Sequence, residues 1–230
     1  MDPIKEFLEA TEIIDSNHPE IGAFAEEKRG DAKDPVDKAI RLYYAVRDGI
    51  WYDPYIPFYR PEHYKASNIL KGGRGFCIPK ASLLCAVGRA SGIPSRPSFA
   101  NVRNHLSTRQ LLEYLGCDIF VYHAFVEFYL EGKWVKATPA FNIELCKRHH
   151  VEPLEFNGRE DSIFQAYNSE NRKFMEYLEF HGSFSDIPVA QIVAAFEETY
   201  GQERVRGWIA GFEQDATIRR GRFDVEDVMQ

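Results

Sequence analysis

Gly72-Gly73-Arg74-Gly75-Phe76-Cys77-Ile78-Pro79-Lys80 joins a glycine-rich turn to the start of an apolar helical pattern. A proline two residues after the cysteine suits the first turn of a helix, where its missing N–H is not needed. The pattern predicts a helix from Cys77 to about Ser91, with Ile78, Ala81, Leu84, Cys85 and Gly88 on its buried side. Gly92-Ile93-Pro94 closes it, glycine just past the end and proline soon after. The Cys77 thiol then sits at a helix N-terminus, where unpaired N–H groups and the helix dipole favour a thiolate below the free-thiol pKa of about 8.5. A lone cysteine at such a place is most often a small buried hydrophobe. The glycines shift that balance, because Gly72, Gly73 and Gly75 let the backbone come close to a substrate. Lys80 reads as a solvated charge and Cys85 as structural.

A nucleophile needs a base, and His123 in Val121-Tyr122-His123-Ala124-Phe125-Val126-Glu127 supplies one. Two strands are expected here, Ile119–Leu130 and Trp134–Ala140, joined at Glu131-Gly132-Lys133. If Glu131-Gly132 forms a two-residue loop, Leu130 faces Lys133 and His123 faces Ala140. Thr138 and Asn142 then become diagonal neighbours on the His123 face. A three-residue loop would reverse that parity. The group that orients the imidazole is therefore Thr138, Asn142, or a residue from elsewhere.

Outward from this centre, Asp34-Pro35 pairs an N-cap with a first-turn proline, and a helix follows to about Gly49. Ile50 to Phe58 is aromatic and proline-punctuated, hence a structured loop. Residues 1–30 read as helical, with Phe7, Leu8, Ile13 and Ile14 as core candidates, and Ser107–Gly116 as a short helix. From Glu144 onward the chain reads as mainly helical. Residues 1–230 form a single domain on this reading, with a core over 35–142 and a helical extension of unknown role over 143–230.

A net charge of −7 over 230 residues argues against a nucleic-acid partner, which would call for a basic face. With 44% hydrophobic and 14% aromatic residues, the chain can bury a core. No apolar run approaches the roughly 20 residues of a membrane span. The four cysteines, Cys77, Cys85, Cys117 and Cys146, lack a disulfide framework and read as free thiols of a cytoplasmic protein. Cys146, His149 and His150 lack a further ligand pair for zinc, and Pro79 stands where a phosphate loop needs glycine. No cofactor or metal is expected.

Together, Ala45–Tyr52, Gly75-Phe76-Cys77 through Gly92-Ile93-Pro94-Ser95-Arg96, His123–Glu127, and Trp134-Val135 through Thr138-Pro139 resemble the transglutaminase-like branch of the papain-type cysteine enzymes, from roughly Pro35 to Pro139. The resemblance implies an α+β fold, papain-like in its core, with a Cys-bearing helix packed on an antiparallel sheet that carries the histidine. It implies Cys77 as nucleophile, His123 as base, and a peptide or protein substrate. The family places an Asp directly before the proline that is Pro139 here, and this chain has Thr138. The expected activity is acyl transfer to an amine, or hydrolysis, of an amide through a Cys77 thioester. The rival reading, which Thr138 favours, is a catalytically silent module that binds peptide or protein with the same fold.

Overall fold

In the computed structural model, the described residues are 4–105, 107–164, 166, 173–214 and 223–226. Helix α1 (Pro19–Arg29) leads to α2 (Pro35–Gly49), whose N-cap Asp34 accepts from the Val36 N–H at 2.8 Å and the Asp37 N–H at 3.3 Å. Strand β1 (Trp51–Tyr52) pairs in parallel with β2 (Arg74–Gly75), and α3 (Ala66–Gly72) lies between them in sequence. Gly73 closes α3 in the left-handed region at φ +64°, which a residue with a Cβ adopts only at a cost. The β1–β2 pairing holds the aromatic segment after α2 against the turn that precedes Cys77.

The centre of the molecule is α4 (Cys77–Ala90), in which every residue from Ile78 to Arg89 is buried. Such a helix must be covered on all sides. Helices α1, α2 and α3 pack on it from one side, and β3 (Ser95–Asn104) and β4 (Ile119–Leu130) from the other. The contact with the sheet is close at Gly88, where a Cβ would lie 2.4 Å from Ser95 Oγ and 2.7 Å from Phe128 Cε1. Arg89 is also buried and donates to the carbonyls of Glu9, Ser95 and Ser185, tying the start of β3 and two distant segments to the end of α4.

The main sheet has the order β5-β4-β3-β6 and is antiparallel throughout, with β5 at Lys133–Ala137 and β6 at Met175–Ser183. Glu131 and Gly132 take φ +49° and +83°, a two-residue hairpin loop, and Leu130 pairs with Lys133 as the turn chemistry predicts. The ladder ends at Val126↔Ala137. Beyond it the Thr138 N–H donates to the Ser162 carbonyl, so the chain leaves β4 before His123 can face Ala140.

Other expectations need correction. The N-terminal thirty residues are not continuously helical: a 3-10 turn at Lys5–Leu8 and bends precede α1. Ile13 and Ile14 are core residues, whereas Phe7 and Leu8 are half-buried. The segment after Glu144 contains α6 (Ile143–Arg148), α7 (Val189–Tyr200) and α8 (Gln202–Gln214), but also β6, which completes the sheet beside β3. It is therefore part of the fold rather than a helical annex. Helix α5 (Arg109–Leu115) falls where a short helix is predicted, with Thr108 Oγ1 accepting from the Leu111 N–H.

Candidate active site

Cys77 is the first residue of α4, where it and Ile78 carry N–H groups with no partner in the preceding turn and Pro79 carries none. His123 comes from β4, opposite Ala100 of β3. One residue earlier β4 holds an extra residue relative to β3, between the pairs Ala100↔His123 and Val102↔Phe120, and Tyr122 there takes φ +53°. Such a bulge breaks the alternation of a strand and re-aims the side chains beside it. The bulge is pinned by the Tyr122 N–H, which donates to Asn101 Oδ1 at 3.1 Å.

Cys77 and His123 line one pocket. Cys77 is partly exposed into it and His123 is buried. Backbone N–H groups of Ala124, Ile78 and Cys77 itself pull the thiol pKa down, but burial outweighs them and pushes it up to about 11. The depressed value expected from the helix terminus is thus overturned by desolvation. Burial raises the phenols of Tyr52, Tyr64, Tyr177 and Tyr200 as well, and the Cys77 sulfur adds to that in each, which sets all four around the thiol. Burial pushes the His123 imidazole down to about 4. The resting site is therefore a neutral thiol and a neutral imidazole.

No group among the described residues hydrogen-bonds His123 Nε2. Its ring instead packs against aromatics, 5.4 Å from the Phe164 ring and 6.5 Å from that of Tyr177. Thr138 is buried, and its Oγ1 also has no hydrogen-bond partner among the described residues. The Thr138 carbonyl accepts from the Tyr43 hydroxyl at 3.0 Å. Asn142 is buried but committed elsewhere. Its Oδ1 accepts from the Tyr52 N–H at 3.2 Å and its Nδ2 donates to Glu144 Oε2 at 3.3 Å. The early end of the β4–β5 ladder explains this: the register that would set Asn142 beside His123 does not extend so far. Neither Thr138 nor Asn142 lines the pocket.

Lys80 corrects another expectation. It is fully buried, and its Nζ donates to the carbonyls of Arg47 at 2.8 Å and Ile50 at 2.6 Å, capping the end of α2 rather than meeting solvent. The sequence reading also missed the rest of the pocket wall. Tyr52 and Phe58 come from the segment already marked as aromatic and Phe76 directly precedes Cys77, but Tyr114, Phe196 and Trp208 belong to α5, α7 and α8. An aromatic residue on a helix face looks the same whether it fills a core or lines a cavity, so no sequence signal separates the two.

No helix among the described residues is long and apolar enough to cross a membrane. No curated protein sequence matches this chain. Among solved structures, it is similar to a protein of Cytophaga hutchinsonii provisionally called a cysteine protease, with 16% identity and a TM-score of 0.47 over 79% of this chain and 55% of that one. It is also similar to the periplasmic domain of TgpA from Pseudomonas aeruginosa, with 22% identity and a TM-score of 0.41 over 60% of this chain and 48% of that one. The chain thus spans about half the length of these structures. The sequence profile of the transglutaminase-like superfamily matches residues 22–139, just over half of the chain, from within α1 to the proline after Thr138. With Cys77 and His123 both inside that match, the chain belongs to the transglutaminase-like superfamily.

Proposed function

We propose that this protein is a cysteine enzyme that opens amide bonds of peptide or protein substrates by acyl transfer or hydrolysis through a Cys77 thioester. The observation that carries the reading is the opening of Cys77 and His123 into one pocket, with backbone N–H groups of Cys77, Ile78 and Ala124 around the sulfur. Because both groups rest neutral, His123 acts as a general base during attack rather than as half of a preformed ion pair. The Cys77 sulfur bonds to the carbonyl carbon while its proton passes to the imidazole. The oxyanion is held by N–H donors at the start of α4, among them those of Cys77 and Ile78. The C–N bond then breaks and the amine leaves with the proton from His123. Water or a second amine attacks the thioester, the C–S bond breaks, and the proton that His123 takes from the attacking group returns to Cys77.

Thr138 is kept as the candidate for orienting His123, through a neutral oxygen that supplies no charge. Asn142, with both ends of its amide engaged, is the weaker candidate. The unpartnered His123 Nε2 and the Thr in place of the family's Asp support the second reading, a silent binding module. Turnover of a panel of acyl-aminocoumarin amides separates the two. The enzyme reading expects release of aminocoumarin by the wild type and none by Cys77→Ala or His123→Ala. A signal that survives in Cys77→Ala, or none from any amide, goes against it.

A further inference from the structure

Fifteen residues line the pocket beside Cys77, and none of them carries a charged side chain at neutral pH, the imidazole of His123 included. Aromatic rings dominate its wall. Tyr114 stacks on Trp208 at 4.4 Å with an interplanar angle of 17°, and Phe58 meets both Phe196 and Trp208. The Tyr200 hydroxyl already accepts from the Val121 N–H at 3.1 Å. A side chain entering this space finds mainly large apolar faces and no charged group, so an ammonium, carboxylate or carboxamide would give up most of its water for few partners. Phe196, Tyr200 and Trp208 lie outside the residues matched by the family profile, so this part of the wall is an addition of this chain's own C-terminal segment.

We infer that this pocket receives a bulky apolar, above all aromatic, side chain on the residue that contributes the attacked carbonyl, held between the start of α4 and the helices α5, α7 and α8. The inference rests on the acyl-chemistry reading for its link to a carbonyl, but the selectivity of the pocket stands on its lining alone. An aromatic acyl residue would bring its carbonyl beside the Cys77 sulfur while its ring displaces water from the cavity. Residues 22–139 then supply the chemistry, and α7 and α8 supply the selection.

Binding without chemistry tests this most cleanly. Cys77→Ala is titrated calorimetrically with N-acetyl-L-phenylalaninamide, N-acetyl-L-glutaminamide and N-acetyl-L-lysinamide, and the Trp208 indole N–H is followed by NMR, assigned through Trp208→Phe. The expected result is roughly tenfold or tighter binding of the phenylalanine amide than of either polar amide, with a shift of the Trp208 resonance. Phe196→Glu, checked for an unchanged melting profile, should abolish the preference. Equal or tighter binding of the glutamine or lysine amide, no binding of any, or binding that leaves Trp208 unmoved overturns the inference. Aromatic preference with no turnover in the wild type would remove the acyl-chemistry reading alone; turnover with no such preference would remove this inference alone.

Discussion

The Nζ of Lys80, one turn into the helix that begins with Cys77, donates to the carbonyl of Arg47 at 2.8 Å and has no contact with water. Burial pushes its pKa from 10.5 down to about 7. Between those values the unfolded chain holds a proton that the folded chain does not, so stability rises with pH across the window and the burial penalty is fully present below it. Wild-type stability should climb from pH 7 to pH 10 with a contribution of up to about 1.4 kcal/mol per pH unit from this residue. Lys80→Met should lose that slope, and at pH 9 it should also be destabilised by about 1–3 kcal/mol through the orphaned carbonyls of Arg47 and Ile50. Urea midpoints at successive pH values check this. Parallel curves for the two proteins would contradict it.

Gly88 offers a test of the packing that fixes the site. Ser95 Oγ donates to the Ile93 carbonyl at 2.7 Å and Phe128 is fully buried, so neither can easily make room for a Cβ on α4. Gly88→Ala should cost about 1–3 kcal/mol by urea denaturation, despite the better helix propensity of alanine. A neutral or stabilising change would mean that α4 and the sheet are less tightly seated than the geometry requires.

The neutral resting pair has a titration signature. With the thiol at about 11 and the imidazole at about 4, iodoacetamide should not prefer Cys77 over Cys117 at pH 6, and Cys77 labelling should rise steadily toward pH 9 and above. A labelling plateau between pH 5 and 7 would reveal a preformed thiolate instead.

His123 should also make the fold acid-sensitive. Its folded-state pKa is below the ordinary 6.5, so the stability present above that value is lost as pH falls toward about 4. The loss is about 3 kcal/mol over that window. His123→Phe should flatten it in denaturant melts at pH 7 and pH 4.5, and an unchanged acid dependence would contradict the assignment.

Thr138→Asp restores the family's acid at a buried position. If position 138 orients His123, a carboxylate there should raise the imidazole pKa by about one unit or more, read from its proton resonances. Cys77 labelling at pH 6 should then rise with it. A normally folded variant in which neither moves would place the orienting group elsewhere.

Much of this was legible in the residues. Pro79 and the Gly92-Ile93-Pro94 stop delimit α4, and Glu131-Gly132 sets the β4–β5 register because a two-residue loop with positive φ permits little else. What escaped depends on neighbours distant in sequence. Strand β3 contains Pro97, which argues against a central strand, yet the Phe184 N–H donates to the Pro97 carbonyl just past the last β3–β6 pair, where no ladder donor is needed. The bulge at Tyr122 and the exit of the chain at Thr138 decide what His123 faces, and each is held by a partner outside the hairpin, Asn101 and Ser162. Lys80 looked solvated because the sequence does not reveal that the end of α2 needs the N–H donors of its amino group.

The covalent intermediate is the centre of the account. Wild-type protein is mixed at pH 8 with the p-nitrophenyl ester of N-acetyl-L-phenylalanine, quenched in acid within seconds, and mapped by mass spectrometry. The account predicts an acyl adduct on Cys77, absent from Cys77→Ala and slowed about 100-fold or more in His123→Ala. An adduct confined to Cys117, or acylation of Cys77 that proceeds equally fast without His123, would contradict it.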